Sequence, residues 1–489
     1  MRKLVPVLNV VGFVMALFSL TMAIPIGVAL YYDDAGLAAF IDAALLSFGA
    51  GAAVYAITRL GQRELKPRDG FLLVSLVWSL LPLIAAAPLL LYFHDAGQPL
   101  SLTDAYFEAM SGLTTTGSSV LSGLEYLPRS INVWRCTLVW IGGMGILVMA
   151  VAILPMLGVG GSQIFRAETP GPMKDEKLTP RIAGTAKGLY AIYMALSALC
   201  LLAYRATGMG WYDAYCHMAT TLGLGGFSTR DAGFIDFDST GVELVSIFFM
   251  LLAGINFATH FNAFRARSLR PYWRCPEAKY YVAAVLVTGL VVAFFLYQRG
   301  VYGSFWTALR YAMFNTVSIA TTTGFSNTDY ASWPLFAPLL MLVLSCFATS
   351  AGSTGGGIKM IRMVILVKQA RREFIRILHP RAINPVTLNG LPVPNKVVFS
   401  VLAFILLYWS SLLLMTMAML FTGLDPLTAF TAVLASLNNV GPGLGEVGPT
   451  TTYAVLTDTQ TWVCSFAMLL GRLELFTVLV LFTRAFWKK

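Results

Sequence analysis

Ten apolar runs recur along the chain, at 4–30, 37–58, 71–94, 132–157, 183–204, 240–263, 278–297, 335–367, 396–422 and 461–486. Each is near or above the roughly 20 residues that cross a bilayer as a helix, and a soluble core cannot bury so many. Apolar residues make up 57% of the 489 positions and charged residues 12%, which leaves too little polar material to solvate a surface of this size. A soluble multi-domain enzyme is excluded, and an integral membrane protein is expected. The first run, behind Arg2 and Lys3, exceeds the 7 to 15 apolar residues of a cleavable leader, so it reads as a retained spanning helix.

The charges give the topology. Of 34 Lys and Arg, 25 fall in six stretches: residues 2–3, 59–69, 166–187, 265–279, 359–381 and 488–489. Two proposed spans separate each neighbouring pair, so ten spans with both termini cytoplasmic satisfy the positive-inside rule. The net charge of +10 therefore needs no nucleic-acid partner, and none is expected. Six cysteines stand singly, mostly in apolar runs, and read as small packing residues. His94, His217, His260 and His379 have no metal-ligand spacing, and His260 reads as interfacial or hydrogen-bonded.

A fourfold repeat is hidden in the outer connections. The segments DAYFEAMSGLTTTGSS from Asp104, DAYCHMATTLGLGGFST from Asp213, YAMFNTVSIATTTGFSN from Tyr311 and TAFTAVLASLNNVGPGLG from Thr428 align on Gly117, Gly226, Gly324 and Gly441. That register puts Ala105, Ala214, Ala312 and Ala429 twelve residues before the glycines, each followed by a large side chain. About 13 helical residues extend roughly 20 Å, enough to enter the bilayer but not to traverse it. The chain must then turn back inside, which lipid tolerates only where the backbone is buried in protein or lines a wet cavity. Four such returns belong at one shared axis.

Loops of that kind suit a dehydrated monovalent cation. Glycine permits left-handed dihedrals and close backbone approach, so converging carbonyls can replace a water shell, with the negative ends of the half-helices aimed at the same centre. The residues beside the four glycines are mostly neutral, unlike the carboxylate-rich cages of Mg2+ or Ca2+. K+ fits best. The loops are unequal, with Thr-Thr-Thr-Gly in the first and third repeats, so less strict K+/Na+ discrimination is expected, and the second leaves a register choice between Gly225 and Gly226. Outer acidic residues, among them Asp34, Glu125, Asp231, Asp238 and Asp329, would either make a mildly negative mouth or serve as solvated and capping groups.

Two features lie lower. Ser350 to Gly357, SAGSTGGG, interrupts the eighth run, and its glycines would each lose roughly 0.5 to 1 kcal/mol in a helix interior. A broken helix or intramembrane loop is expected, acting either as a gate or as a passive break. Arg472 lies inside the last run, where insertion costs roughly 2.5 to 3.5 kcal/mol. It either sets the electrostatics of the inner pathway, or pairs with Glu474 or the carbonyls of the Gly-rich loop.

TTTGSS at 114–119, GGFSTRD at 225–231, TTTGFSNTD at 321–329, NNVGPGLGEVG at 438–448, SAGSTGGGIK at 350–359 and GRLELFT at 471–477 together resemble the Trk/Ktr/HKT cation-transporter superfamily over essentially the whole chain. The resemblance implies an all-α integral membrane protein with four pseudo-fourfold M1, P-loop, M2 repeats around a central pore, preceded by two accessory transmembrane helices. The expected units are 1–69, 70–165, 166–265, 266–381 and 382–489. It further implies a K+ selectivity filter at Thr115-Thr116-Gly117, Leu224-Gly225-Gly226, Thr322-Thr323-Gly324 and Asn439-Val440-Gly441, with Gly352, Ser353, Thr354, Gly355, Gly356 and Gly357 as the gate and Arg472 beneath. Asn438 and Asn439 replace the hydroxyl residues in the fourth loop. Family members are homodimers of the bacterial inner membrane that bind a cytoplasmic nucleotide-sensing TrkA-type ring, for which the basic inner connections would be the docking surface.

The expected function is K+ uptake through a gated channel-like pore, with K+ as cargo and no organic cofactor. Na+- or H+-coupled potassium symport is the alternative, followed by a secondary solute transporter. The latter would show inverted repeats, whereas all four units here begin on the same side. A noncatalytic scaffold or receptor comes last. Walker and HExxH motifs are absent from the sequence.

Overall fold

A computed structural model describes residues 4–59, 66–148, 179–382 and 384–488. Part of the basic stretch 59–69, most of 166–187 and the tail of the 132–157 run lie outside the described residues.

Val5–Ser19 and Ala23–Tyr32, joined by one 3-10 turn, form a first apolar span that packs against Leu37–Thr58. Gly12 and Gly51 let the two backbones touch, since a Cβ on either would lie 2.9 Å from the other's carbonyl oxygen. Asn9 ties the pair by donating to Tyr55 O and Thr58 Oγ1, both at 3.1 Å.

The rest of the chain repeats one pattern four times. A long helix leads in: Pro67–Asp95, Thr179–Ala206, Pro276–Gln298 and Asn395–Phe421. A short pore helix follows: Leu102–Leu113, Trp211–Gly223, Phe305–Ala320 and Pro426–Asn438. At 12 to 16 residues the pore helices reach about 18 to 24 Å, short of a full crossing. A returning loop then leads to a second outer helix, which starts as Arg129–Val148, Thr240–Ala253, Phe336–Ser345 or Asp458–Arg472.

Packing closes these units into a ring. The second pore helix packs on Arg129–Val148 of the first repeat, the third on Thr240–Ala253 of the second, the fourth on Phe336–Ser345 of the third, and the first on Asp458–Arg472 of the fourth. Buried apolar residues between them form the main clusters, while large apolar side chains on the outer faces, such as Leu45, Leu286, Leu406 and Leu414, are exposed as a lipid-facing surface requires.

Among the described residues fewer than ten helices are uninterrupted spans. Among the described residues six helices are long and apolar enough to cross, or eight if each bent pair is one span. The 335–367 run splits into Phe336–Ser345 and Met360–Leu378 around the glycine stretch, as its composition predicted. Two further breaks were not predicted: Thr240–Ala253 meets Phe257–Ala266 at 93°, and Asp458–Arg472 meets Phe476–Phe482 at 108°. Before the last repeat, Thr387–Leu388 and Leu391–Pro392 pair as a hairpin whose Asn389-Gly390 turn has both residues at positive φ.

Candidate functional site: a closed ring of four loops

Each pore helix ends in the same way. The residue two before the loop glycine is left-handed: Thr115 (φ 55°), Leu224 (56°), Thr322 (63°) and Asn439 (55°). The next residue donates its N–H to the helix carbonyl five positions back, Thr116 to Ser111 at 2.8 Å, Gly225 to Thr220 at 3.0 Å, Thr323 to Ser318 at 2.8 Å and Val440 to Ala435 at 2.8 Å. This is the Schellman ending, with a side chain where glycine is usual. A left-handed non-glycine residue costs about 1 to 2 kcal/mol, which the capping bonds, at about 0.5 to 1.5 kcal/mol each, offset.

The glycine that follows is also at positive φ: 85° at Gly117, 25° at Gly226, 88° at Gly324 and 100° at Gly441. All four are needed for contact between loops. A Cβ on Gly117 would meet Gly225 O at 2.9 Å, one on Gly226 would collide with Thr323 O, one on Gly324 with Val440 O, and one on Gly441 would meet Thr116 O at 2.8 Å. The contacts run first to second to third to fourth and back to the first, always onto the carbonyl preceding the next glycine. This places Gly226, rather than Gly225, level with the other three glycines.

In every loop two positive-φ residues thus flank one residue that is not at positive φ: Thr116, Gly225, Thr323 or Val440. Among the described residues no donor reaches the carbonyl oxygens of Thr116, Thr323 or Val440, which remain available to a ligand. The second loop departs from this, since Gly225 O accepts from Phe227 N at 2.6 Å. In the fourth loop the glycine's own carbonyl is engaged, with Gly441 O accepting from Ser118 Oγ at 2.9 Å and Tyr453 Oη at 2.8 Å. Asn439 donates to Thr116 Oγ1 and Met468 O, both at 3.0 Å, so the fourth-loop amide ties two neighbouring elements together.

The glycine stretch packs against the inner ends of the pore helices. Thr354 Oγ1 donates to Leu222 O at 3.0 Å and Gly356 N to Thr322 Oγ1 at 2.9 Å, while a Cβ on Gly356 would strike Asn438 O. Ser353 Oγ donates to Ser350 O at 2.7 Å, and Thr349 Oγ1 to Gly356 O at 2.8 Å. The break in the second repeat receives the loop's other flank, with Ser350 N donating to Gly254 O and Phe257 N to Gly352 O, each at 3.0 Å. Gly355 O accepts from Lys359 Nζ, and Gly357 approaches Ser345 O and Cys346 O.

Arg472 is 2% exposed and donates to Thr354 O at 2.7 Å and to Gly142 O at 2.9 Å. Of its open roles, binding of loop carbonyls is observed and pairing with Glu474 is not. Glu474 instead pairs with Arg362 at 2.5 Å, because the helix turns at Glu474 (φ 55°) and Leu475 (φ 48°) and carries the carboxylate away.

Sequence reasoning missed two anchors of this loop. Glu277 accepts from Ala351 N at 2.9 Å and from Ile361 N at 3.1 Å, clasping the loop at both ends. Glu474 holds the helix that leaves it. Several of the acidic residues expected at an outer mouth are occupied: Asp231 accepts from Gly123 N and Leu124 N, Asp34 from Ser130, and Asp238 pairs with Arg310. Asp425 caps the fourth pore helix, and its bonds from Thr428 hold the carboxyl below its ordinary range. Among the described residues no group of three His, Cys, Asp or Glu would hold a metal ion.

Fold and site define a multi-pass membrane protein of the re-entrant pore-loop class. The chain belongs to the TrkH family of cation transport proteins, whose profile matches residues 37–489. It is 44% identical over 483 residues to the Trk system potassium uptake protein TrkH of Halomonas elongata, covering 99% of each chain. Identity to the Escherichia coli protein of the same name is 42% over 481 residues, covering 98% of this chain and 99% of that one. The crystal structure of the potassium transporter TrkH from Vibrio parahaemolyticus superposes with a TM-score of 0.92 at 41% identity, covering 99% of this chain and 100% of that one.

Proposed function

We propose that this protein takes up K+ through the axis of its four loops, as the translocating subunit of a Trk-type system in the bacterial inner membrane. The closed ring carries the reading: each of the four aligned glycines lies against the carbonyl that precedes the next one, which gathers neutral oxygens in one ring, and a weakly hydrated monovalent cation matches such a set. Residues 115–117, 224–226, 322–324 and 439–441 form the filter, residues 352–357 the gate and Arg472 its tether. Membrane potential supplies about 2.3 kcal/mol per charge at 100 mV, so no hydrolytic site is needed in this chain. Both termini are cytoplasmic, two copies assemble as a homodimer within membrane lipid, and a nucleotide-binding TrkA-type ring docks on the basic inner connections and moves the loop.

Purified protein in sealed liposomes tests the proposal. Under an inside-negative voltage, K+ and Rb+ enter faster than Na+, and adding the nucleotide-binding ring changes the rate. Absence of voltage-driven K+ entry with and without the ring would refute it.

A further inference from the structure

Nine residues before each loop glycine, on the pore helix, stand Glu108, His217, Asn315 and Ala432. In three repeats this side chain reaches the strand that climbs away from the ring. Glu108 accepts from Ser119 Oγ at 3.0 and 3.1 Å and from Val120 N at 2.9 Å. His217 Nε2 lies 3.0 Å from Ser228 Oγ, and Asn315 Nδ2 donates to Asn327 Oδ1 at 2.7 Å. Ala432 has no polar group, and the adjacent Thr431 serves instead, accepting from Leu444 N at 2.9 Å. Each is a strut from a rigid helix to the segment bearing the glycine.

The first strut is ionic. Arg135 Nε donates to Glu108 at 2.7 Å, and both side chains are 1% exposed. The guanidinium also donates to Ser119 Oγ at 3.1 Å, Asn132 Oδ1 at 3.1 Å and Ser228 O at 3.3 Å, and lies 4.4 Å from the centroid of the Phe227 ring. Ser119 is two residues beyond Gly117, and Ser228 two beyond Gly226. Arg135 therefore grips two adjacent loops at equivalent points, and one of them is the second loop, whose glycine φ and carbonyl bonding depart from the others. A buried ion pair adds little net stability over an apolar pair, so its geometry is the better reason for it.

We propose that Glu108 and Arg135 are a positioning pair that fixes the spacing between the first and second loops and so sets how well the ring rejects Na+ relative to K+. This rests on the filter reading above. With the pair removed, the two loops close on the smaller ion, whose dehydration the wild-type spacing leaves uncompensated.

The test is the K+/Na+ flux ratio of full-length protein in liposomes. Single neutral substitutions strand a buried charge and threaten folding, so the main variant is the double Glu108→Gln/Arg135→Gln, supported by Ser119→Ala, which removes the hydroxyl shared by both partners. The double variant is expected to lower the ratio roughly tenfold, and Ser119→Ala about two- to threefold in the same direction. A purely structural pair would lower the melting temperature and leave the ratio at the wild-type value, which overturns the proposal. If the double variant does not assemble, an unchanged ratio in Ser119→Ala and Arg135→Lys overturns it equally. Gly324→Val separates the two levels. Normal conduction in that variant defeats the filter reading, whereas blocked conduction alongside unchanged ratios in the pair variants defeats this proposal alone.

Discussion

The ring of loops and the helices that follow it use the fourfold repeat in opposite ways. In the ring, four pore helices end with one capping geometry, one left-handed residue and one glycine that touches the next loop. The second outer helices that follow differ: one bends by 93°, one by 108°, and one is interrupted from 346 to 359. A site that coordinates an ion needs equivalent ligands, which preserves symmetry. A switch needs one element that moves against others, and under the proposed reading that element is the third-repeat loop, held by Glu277, Arg472 and Lys359 from unlike positions.

The sharpest way to break this contrast is Gly324→Val. It forces a branched side chain onto φ 88° and into Val440 O, and should reduce K+ uptake by roughly two orders of magnitude or more while the helices still assemble. Tracer uptake beside size-exclusion profiles checks it, and near-normal uptake would mean the ring is not the path. Beyond the ring, Arg472→Ala removes two charge-assisted bonds of about 1.5 to 3 kcal/mol each from Thr354 O and Gly142 O. The freed loop should raise partner-independent K+ flux roughly tenfold; flux at the wild-type level would make the tether irrelevant to gating. The smallest effect concerns Asp425→Asn. The native carboxyl sits below its ordinary range, so its charged cap stabilises the helix above the unfolded value, and that contribution disappears as pH falls through the folded one. Asparagine caps without charge, so the variant should lose a little stability at neutral pH and melt with a flatter acid dependence. An identical pH profile would remove Asp425 from the account.

The ring of loops was legible in sequence because its constraint is local. A glycine twelve residues after an alanine marks each half-helix, and the glycine-rich stretch forecast the interruption that residues 346–359 display. Gly225 and Gly226 were not separable by composition, since either can be left-handed, and it is the fold that distinguishes them, by the positive φ of Gly226 and its contact with Thr323 O. The struts escaped notice because Glu108, His217 and Asn315 are chemically unlike; their shared offset from the loop glycines was the signal that would have found them. The anchors were invisible for another reason. Glu277 meets Ile361 across 84 positions and Glu474 meets Arg362 across 112, and no periodicity reports such a meeting. The bends after Ala253 and Arg472 were hidden because the chain on either side stays apolar.

Closure of the ring has a consequence for biogenesis. Gly441 touches the first loop, and Ser118 Oγ donates to its carbonyl across 323 positions, so the last-made loop completes a circle begun by the first. A ribosome-bound chain that has inserted three repeats therefore holds three quarters of a cage. The contact that closes the circle is thus the last one the chain can make.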